Sequence, residues 1–212
     1  MPRIATYNTC IATYDVIRWS AIIIAVVLAF SNHDALAQSN EYDKAVARFT
    51  GEHQYDIEKP GALEGVTAPD FTGKTLKGNN VHLSALHGKV VVLNFWFIAC
   101  APCQMEVTPL NEVVKHFAGK DVVFLSVARN HETDLAKYLQ TVPFSFEVIA
   151  DPTLSISREV YHLFGYPTTV VIDQQGKIRY YTLGGKINEE AVRKELNQKM
   201  VPAIQECLAR KS

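Results

Sequence analysis

Cysteine is scarce in this chain, with four in 212 residues, at Cys10, Cys100, Cys103 and Cys207. That is too few for a small disulfide-stapled scaffold, so a hydrophobic core must hold the fold. No second cysteine pair exists, and no histidine pair lies at helical or finger spacing. This argues against a zinc site, which needs four ligands, or three and an open position. Neither sign of charge is in excess: the formal net charge is −1. No stripe of Lys and Arg appears, which argues against nucleic acid as a partner. There is no glycine-rich phosphate loop of the P-loop or dinucleotide kind, and no internal repeat. Histidines are scattered, with His82, His87, His116, His131 and His162 on loops and helix faces. Solvated or locally bonded imidazole is the plain reading of each, although His131, just after a buried strand, can approach a site edge.

Long apolar runs are also missing. Trp19 to Phe30 is apolar for about a dozen residues, short of a comfortable membrane span. Arg3 and Arg18 precede it, and Ala35-Leu36-Ala37 offers a cleavage site before Gln38. Residues 1–37 are therefore expected to be a secretory signal peptide, with an uncleaved membrane anchor as the alternative. No cysteine follows the apolar run, which argues against lipid attachment there. Export places the chain in an extracytoplasmic, periplasm-like setting where disulfides persist. Residues 38–64 read as a leader or spacer in which Tyr42, Val46 and Phe49 fall at helical spacing. Residues 65–200 read as one domain. Residues 201–212 read as a C-terminal tail beginning around Pro202 and carrying Cys207 as a bystander thiol.

Within the domain, Val90 to Ile98 is apolar on both faces, as in a strand covered on both sides. Val122 to Val127 is a second buried strand, and Phe146 to Ile149 a short extended piece ended by Asp151-Pro152. Thr168 to Ile172, the turn Asp173-Gln174-Gln175-Gly176 and Ile178 to Thr182 form a hairpin. Helices are expected from Pro102 to about Phe117, kinked at Pro109, then from His131 to Leu139 and from Leu154 to Leu163. A last helix, capped by Asn188, runs through Met200. The order predicts an α/β fold, a mixed central sheet with helices on both faces.

The informative motif is Cys100-Ala101-Pro102-Cys103, placed where the first buried strand meets a helix. A helix N-terminus presents free N–H groups and partial positive charge, which stabilise a thiolate. Cys100 is thus the candidate nucleophile and Cys103 its resolving partner. Half of a zinc site and an inert structural disulfide are the bland readings. Gly165-Tyr166-Pro167-Thr168 is the second signal. A proline at the start of a buried strand suits a cis peptide, although an ordinary trans proline is the commoner event.

Together these motifs resemble the thioredoxin fold, and within it the TlpA/ResA-like branch. Ala68-Pro69-Asp70-Phe71 resembles that family's leading motif. The stretch Gly88-Lys89-Val90-Val91-Val92-Leu93-Asn94-Phe95-Trp96 and the cysteine pair resemble its active-site strand. Gly165 to Thr169 followed by Ile172-Asp173 resembles its cis-proline strand. The resemblance implies an exported thiol-disulfide oxidoreductase, more a protein-disulfide reductase than an oxidase. It needs no cofactor or metal, takes electrons from a membrane donor, and acts on protein thiols and disulfides such as those of apocytochrome c or copper sites. It also implies a glutamate at Glu106, three residues after Cys103 on the same helical face, as a proton-transfer group. A solvated glutamate favouring the helix dipole is the plainer reading. Asn94 stands where thioredoxin has a titrating aspartate. Ala99 stands where most of the family has tryptophan, so one aromatic wall beside Cys100 is missing. Tyr166 and Pro167 are candidate substrate contacts. Trp96 joins them, with core packing as its plainer role. Two other functions share the residues: a peroxiredoxin-type thiol peroxidase, and a copper-binding assembly factor using both cysteines with His131 or His162.

Overall fold

The structure is a computed structural model, and it describes residues 41–48 and 63–210. The signal-like segment 1–37, with Cys10, and most of the 38–64 leader lie outside the described residues. Residues 41–48 form α1. A small antiparallel hairpin follows, β1 (Thr72–Lys74) and β2 (Asn80–His82), then a 3-10 turn at Leu83–Leu86. The rest alternates: β3 (Val90–Trp96), α2 (Ala101–His116), β4 (Val122–Ala128), α3 (Glu132–Tyr138), β5 (Glu147–Ala150), β6 (Thr168–Ile172), β7 (Ile178–Leu183), α4 (Glu189–Glu195) and α5 (Val201–Ala209). Five strands make one sheet in the order β5-β4-β3-β6-β7. β3 pairs in parallel with β4 and antiparallel with β6, so the sheet is mixed.

Every residue of β3 is buried, which is why its sequence shows no polar face. Its side chains still separate by strand alternation. Val91, Leu93 and Phe95 face Tyr42, Phe71 and Tyr161. Val90 and Val92 face Leu110 and Val113 of α2 together with Met200 and Ile204 near the C-terminus. The sheet is thus covered on both sides. α1 belongs to the first layer: the Tyr42 hydroxyl donates to the Tyr161 carbonyl at 2.9 Å.

The helical segment expected over Leu154 to Leu163 is a π-helical turn, Ser155–Val160, preceded by Leu154 at φ 64°. Asp151 anchors it. Its buried carboxylate accepts from the Ser157 N–H and hydroxyl, both at 2.8 Å, and from the Ile156 N–H at 3.2 Å. The β6–β7 turn is held likewise by Asp173, which accepts from the N–H groups of Gln175 and Lys177. α2 runs through Pro109 as one helix.

The C-terminal segment differs from its expectation as a tail. α4 leads through a π-helical turn, Leu196–Met200, directly into α5. Pro202 sits in the first turn of α5, where a missing N–H costs little, so it does not break the chain. Ile204 is fully buried and Cys207 is 1% exposed, and burial pushes the Cys207 thiol up. Cys207 is a core residue. Ile204→Ala should therefore cost about 2–4 kcal/mol in urea unfolding, as for other large-to-small core changes; a loss near zero would mean that α5 is peripheral.

Candidate active site

Beyond Trp96 the chain turns through Phe97, Ile98 and Ala99 into α2. Three hydrogen bonds fix this turn. Cys100 N–H donates to the Phe97 carbonyl at 3.1 Å, Ile98 N–H to Asn130 Oδ1 at 2.9 Å, and Gln104 Nε2 to the Ile98 carbonyl at 2.6 Å. Cys100 is the N-cap of α2, and its sulfur accepts the Cys103 N–H at 3.2 Å. Pro102 lies in the first turn, where its ring is tolerated. Cys100 and Cys103 are joined as a disulfide with Cα atoms 5.2 Å apart, and both are at most 5% exposed. A sulfur at this position faces the free donors and the positive end of the helix, the setting that favours a thiolate on reduction.

Two further segments meet this turn. The Tyr166–Pro167 peptide is cis. Tyr166 packs on the cluster of Trp96, Cys100 and Cys103, and Gly184 N–H donates to the Pro167 carbonyl at 2.8 Å. Next to it, Gly185 lies directly on the Cys-Ala-Pro-Cys turn: a Cβ there would stand 2.3 Å from the Pro102 Cβ. From sequence, Gly184-Gly185 reads only as a break in the chain. Trp96 needs correction as a candidate substrate contact. It is 2% exposed, its Nε1–H donates to Ser126 Oγ at 2.7 Å, and its rings pack on Tyr138 and Phe144. As an even-numbered residue of β3 it points under α2, into the core.

Glu106 is buried, at 8% exposure, and so is not a solvated first-turn glutamate. The side chain of Asn94 hydrogen-bonds it. Asn94 Nδ2 also donates to Thr169 Oγ1 at 2.9 Å across the β3–β6 pair, where the two residues are in register. Burial lifts the Glu106 carboxyl to about 8, and the Glu195 carboxylate adds to the rise; the Asn94 hydrogen bond and Lys186 oppose it. Glu195 is itself paired with Lys186 at 3.1 Å and Lys199 at 3.6 Å. Tyr180 belongs to the same pocket: burial, then Glu195, push its phenol well up, and Glu106 adds to the rise. At neutral pH a protonated carboxyl thus sits one helical turn beyond Cys103. A carboxyl in this state is a proton donor and, once ionised, an acceptor. Glu195, Lys186 and Tyr180 carry no sequence signal for this role, since α4 reads as an ordinary capped helix.

The histidines named for copper lie apart from one another. His131 is the exposed N-cap of α3, and His162 is held by Asp43 at 3.1 Å and stacked on Tyr42. Among the described residues no group of three His, Cys, Asp or Glu is placed to hold a metal ion.

The sequence profile of the AhpC/TSA family matches residues 65–181, the span from the β1–β2 hairpin through the strands that carry both motifs. The chain belongs to the AhpC/TSA family. It is 32% identical over 149 residues to a thioredoxin-like protein, YneN, of Bacillus subtilis, covering 69% of this chain and 84% of that protein. It is 31% identical to the thiol-disulfide oxidoreductase ResA of Geobacillus kaustophilus, covering 64% of this chain and 78% of that one. Among solved structures, a thiol:disulfide interchange protein DsbE of Chlorobium tepidum superposes with a TM-score of 0.59 at 30% identity, over 66% of this chain and 97% of that one. The fold is thioredoxin-like, and this AhpC/TSA member is a thiol-disulfide oxidoreductase of the ResA/DsbE type.

The site geometry leads to two tests. Because the folded Glu106 carboxyl titrates near 8 and the unfolded one near 4.5, its contribution to stability is complete below about pH 4.5 and is lost as pH rises through 8. Glu106→Gln should abolish this slope and leave the variant more stable than the parent at pH 9, by on the order of a few kcal/mol. Urea midpoints at several pH values measure it, and parallel pH profiles would contradict it. Glu195→Gln should move the slope to lower pH and Lys186→Met to higher pH. In a second test, Gly185→Ala should disturb the Pro102 turn. It is expected to slow thiol exchange several-fold with little loss in urea midpoint; an unchanged rate would mean the loop yields freely.

Proposed function

We propose that this protein is an exported reductase of protein disulfides, with Cys100 as the attacking thiol, Cys103 as the resolving thiol and Glu106 as the proton carrier. The observation that carries this reading is the dithiol at the α2 N-terminus with a protonated, buried carboxyl one turn away. In the reduced protein the Cys100 thiolate attacks one sulfur of a substrate disulfide, and the other substrate sulfur leaves as a thiolate and takes the proton of the Glu106 carboxyl. Cys103 then gives its proton to the resulting Glu106 carboxylate and attacks the Cys100 sulfur, and the second substrate sulfur leaves as a thiolate that takes a proton from solvent, the one Cys100 had released on ionising. Two electrons and two protons pass to the substrate, and the Cys100–Cys103 disulfide remains. A membrane-bound thiol donor then restores the dithiol.

Export rests on the signal-like segment 1–37, which either is cleaved or tethers the domain to the membrane. The segment leading into β6 supports a protein substrate: an extended chain laid beside Tyr166 and Pro167, which border the dithiol, would place its disulfide at Cys100. Oxidised cysteine pairs of apocytochrome c or of copper sites fit the family resemblance as substrates.

The test is trapping. Cys103→Ser should accumulate mixed disulfides through Cys100 with protein substrates in the compartment where the chain acts, and Cys100→Ser should accumulate few. The midpoint of the Cys100/Cys103 couple should lie near that of a reductase, on the order of −270 mV. A value near −120 mV would instead make it an oxidant, and turnover of hydrogen peroxide by the purified protein would favour the peroxidase.

A further inference from the structure

Arg129 follows the last residue of β4 and is exposed, while Phe97 and Tyr166 beside it are half-buried. Its guanidinium carbon lies 4.7 Å from the centre of the Phe97 ring and 5.9 Å from that of Tyr166. The two rings meet edge to face at 5.4 Å. All three residues stand on fixed backbone. Arg129 N–H donates to the Trp96 carbonyl at 3.2 Å. The Phe97 carbonyl accepts the Cys100 N–H, and the Pro167 carbonyl just after Tyr166 accepts the Gly184 N–H at 2.8 Å. Among the described residues the Arg129 guanidinium makes no ion pair and no side-chain hydrogen bond.

Stacking on rings holds the guanidinium plane and removes part of its rotamer freedom, yet its donors remain uncommitted. A planar fork of N–H donors matches a carboxylate. The platform also borders the dithiol, since both rings flank the segments that meet Cys100. Ala99 is exposed and small, so it leaves the approach from Phe97 to Cys100 open.

The geometry points to Arg129, seated on Phe97 and Tyr166, as a recognition site for an aspartate or glutamate that flanks the disulfide of a protein substrate. This inference rests on the reading of the dithiol as a reductant of protein disulfides. The rings would contact the apolar part of the same substrate segment, and the guanidinium would fix its register.

The experiment uses three synthetic peptides with one internal disulfide, alike except for Asp, Asn or Lys next to a cysteine. The pre-reduced protein is mixed with each, and the second-order rate constant of peptide reduction is measured. The Asp peptide should react faster than the Lys peptide by about five- to tenfold at low salt, and the ratio should shrink at high ionic strength. In Arg129→Gln the Asp-to-Lys ratio should fall to near one, and in Arg129→Lys to an intermediate value. Each ratio is internal to one variant, so a general change in thiol reactivity does not affect it. Equal rates for the three peptides with the parent protein would overturn the inference, as would an undiminished ratio in Arg129→Gln. Failure to reduce any peptide, while the neutral reagent 4,4′-dithiodipyridine is still consumed, would overturn the reductase reading and the platform with it.

Discussion

A carboxyl group kept from water next to a dithiol is the constraint on which this site depends. Ionising Glu106 in place would bury a charge, and among the described residues no salt bridge to it offsets that cost, Lys186 acting only as a weaker opposing charge. The neighbours are matched to a neutral group. Asn94 offers an amide, which bonds either form of the carboxyl without adding charge. Thr169 takes the other Asn94 donor, so the amide is not left unsatisfied. An aspartate at 94 would set a second carboxylate against the first. Asparagine at this position and a buried glutamate at 106 are therefore one arrangement: the titrating group sits on the helix instead of on the strand. Glu195 and Lys186 then tune it from α4 and the loop before it, one raising and one lowering its proton affinity.

The dithiol itself depends on a junction. At the end of β3, a strand paired on both edges, the helix starts with its N–H groups aimed at a sulfur and packs its flank on the sheet. Leu110 and Val113 of α2 supply the flank. The opposite wall comes from the far half of the chain, because β6 pairs antiparallel with β3 and brings Pro167 to the end where α2 begins. Gly185 closes the arrangement by lying on Pro102 without a side chain between them.

Much of this is legible in the sequence, for physical reasons. The strand β3 is legible because burial on both faces leaves an unbroken apolar run, and the dithiol because two cysteines at a strand end have few other uses. Glu106 can be singled out by helical spacing from Cys103, but its burial depends on what α4 and β7 place over it. For Trp96 the sequence supports two roles, and the plainer one, core packing, is what the structure shows: its indole N–H finds Ser126 on the neighbouring strand. The C-terminal segment misleads through Pro202, which looks like a stop until a π-helical turn is seen to lead into a new first turn there. Arg129 is invisible because cation and rings come from three separate segments.

The direct measurement is the titration of Glu106 itself in the oxidised protein, by NMR of 13C-labelled glutamate side chains with Glu106→Gln as the assignment control. The account predicts one carboxyl carbon that titrates with a midpoint near 8 and is absent from the variant. A Glu106 signal with a midpoint in the ordinary range near 4.5 would contradict it, because the dithiol would then have a permanently charged neighbour and no proton to exchange at neutral pH.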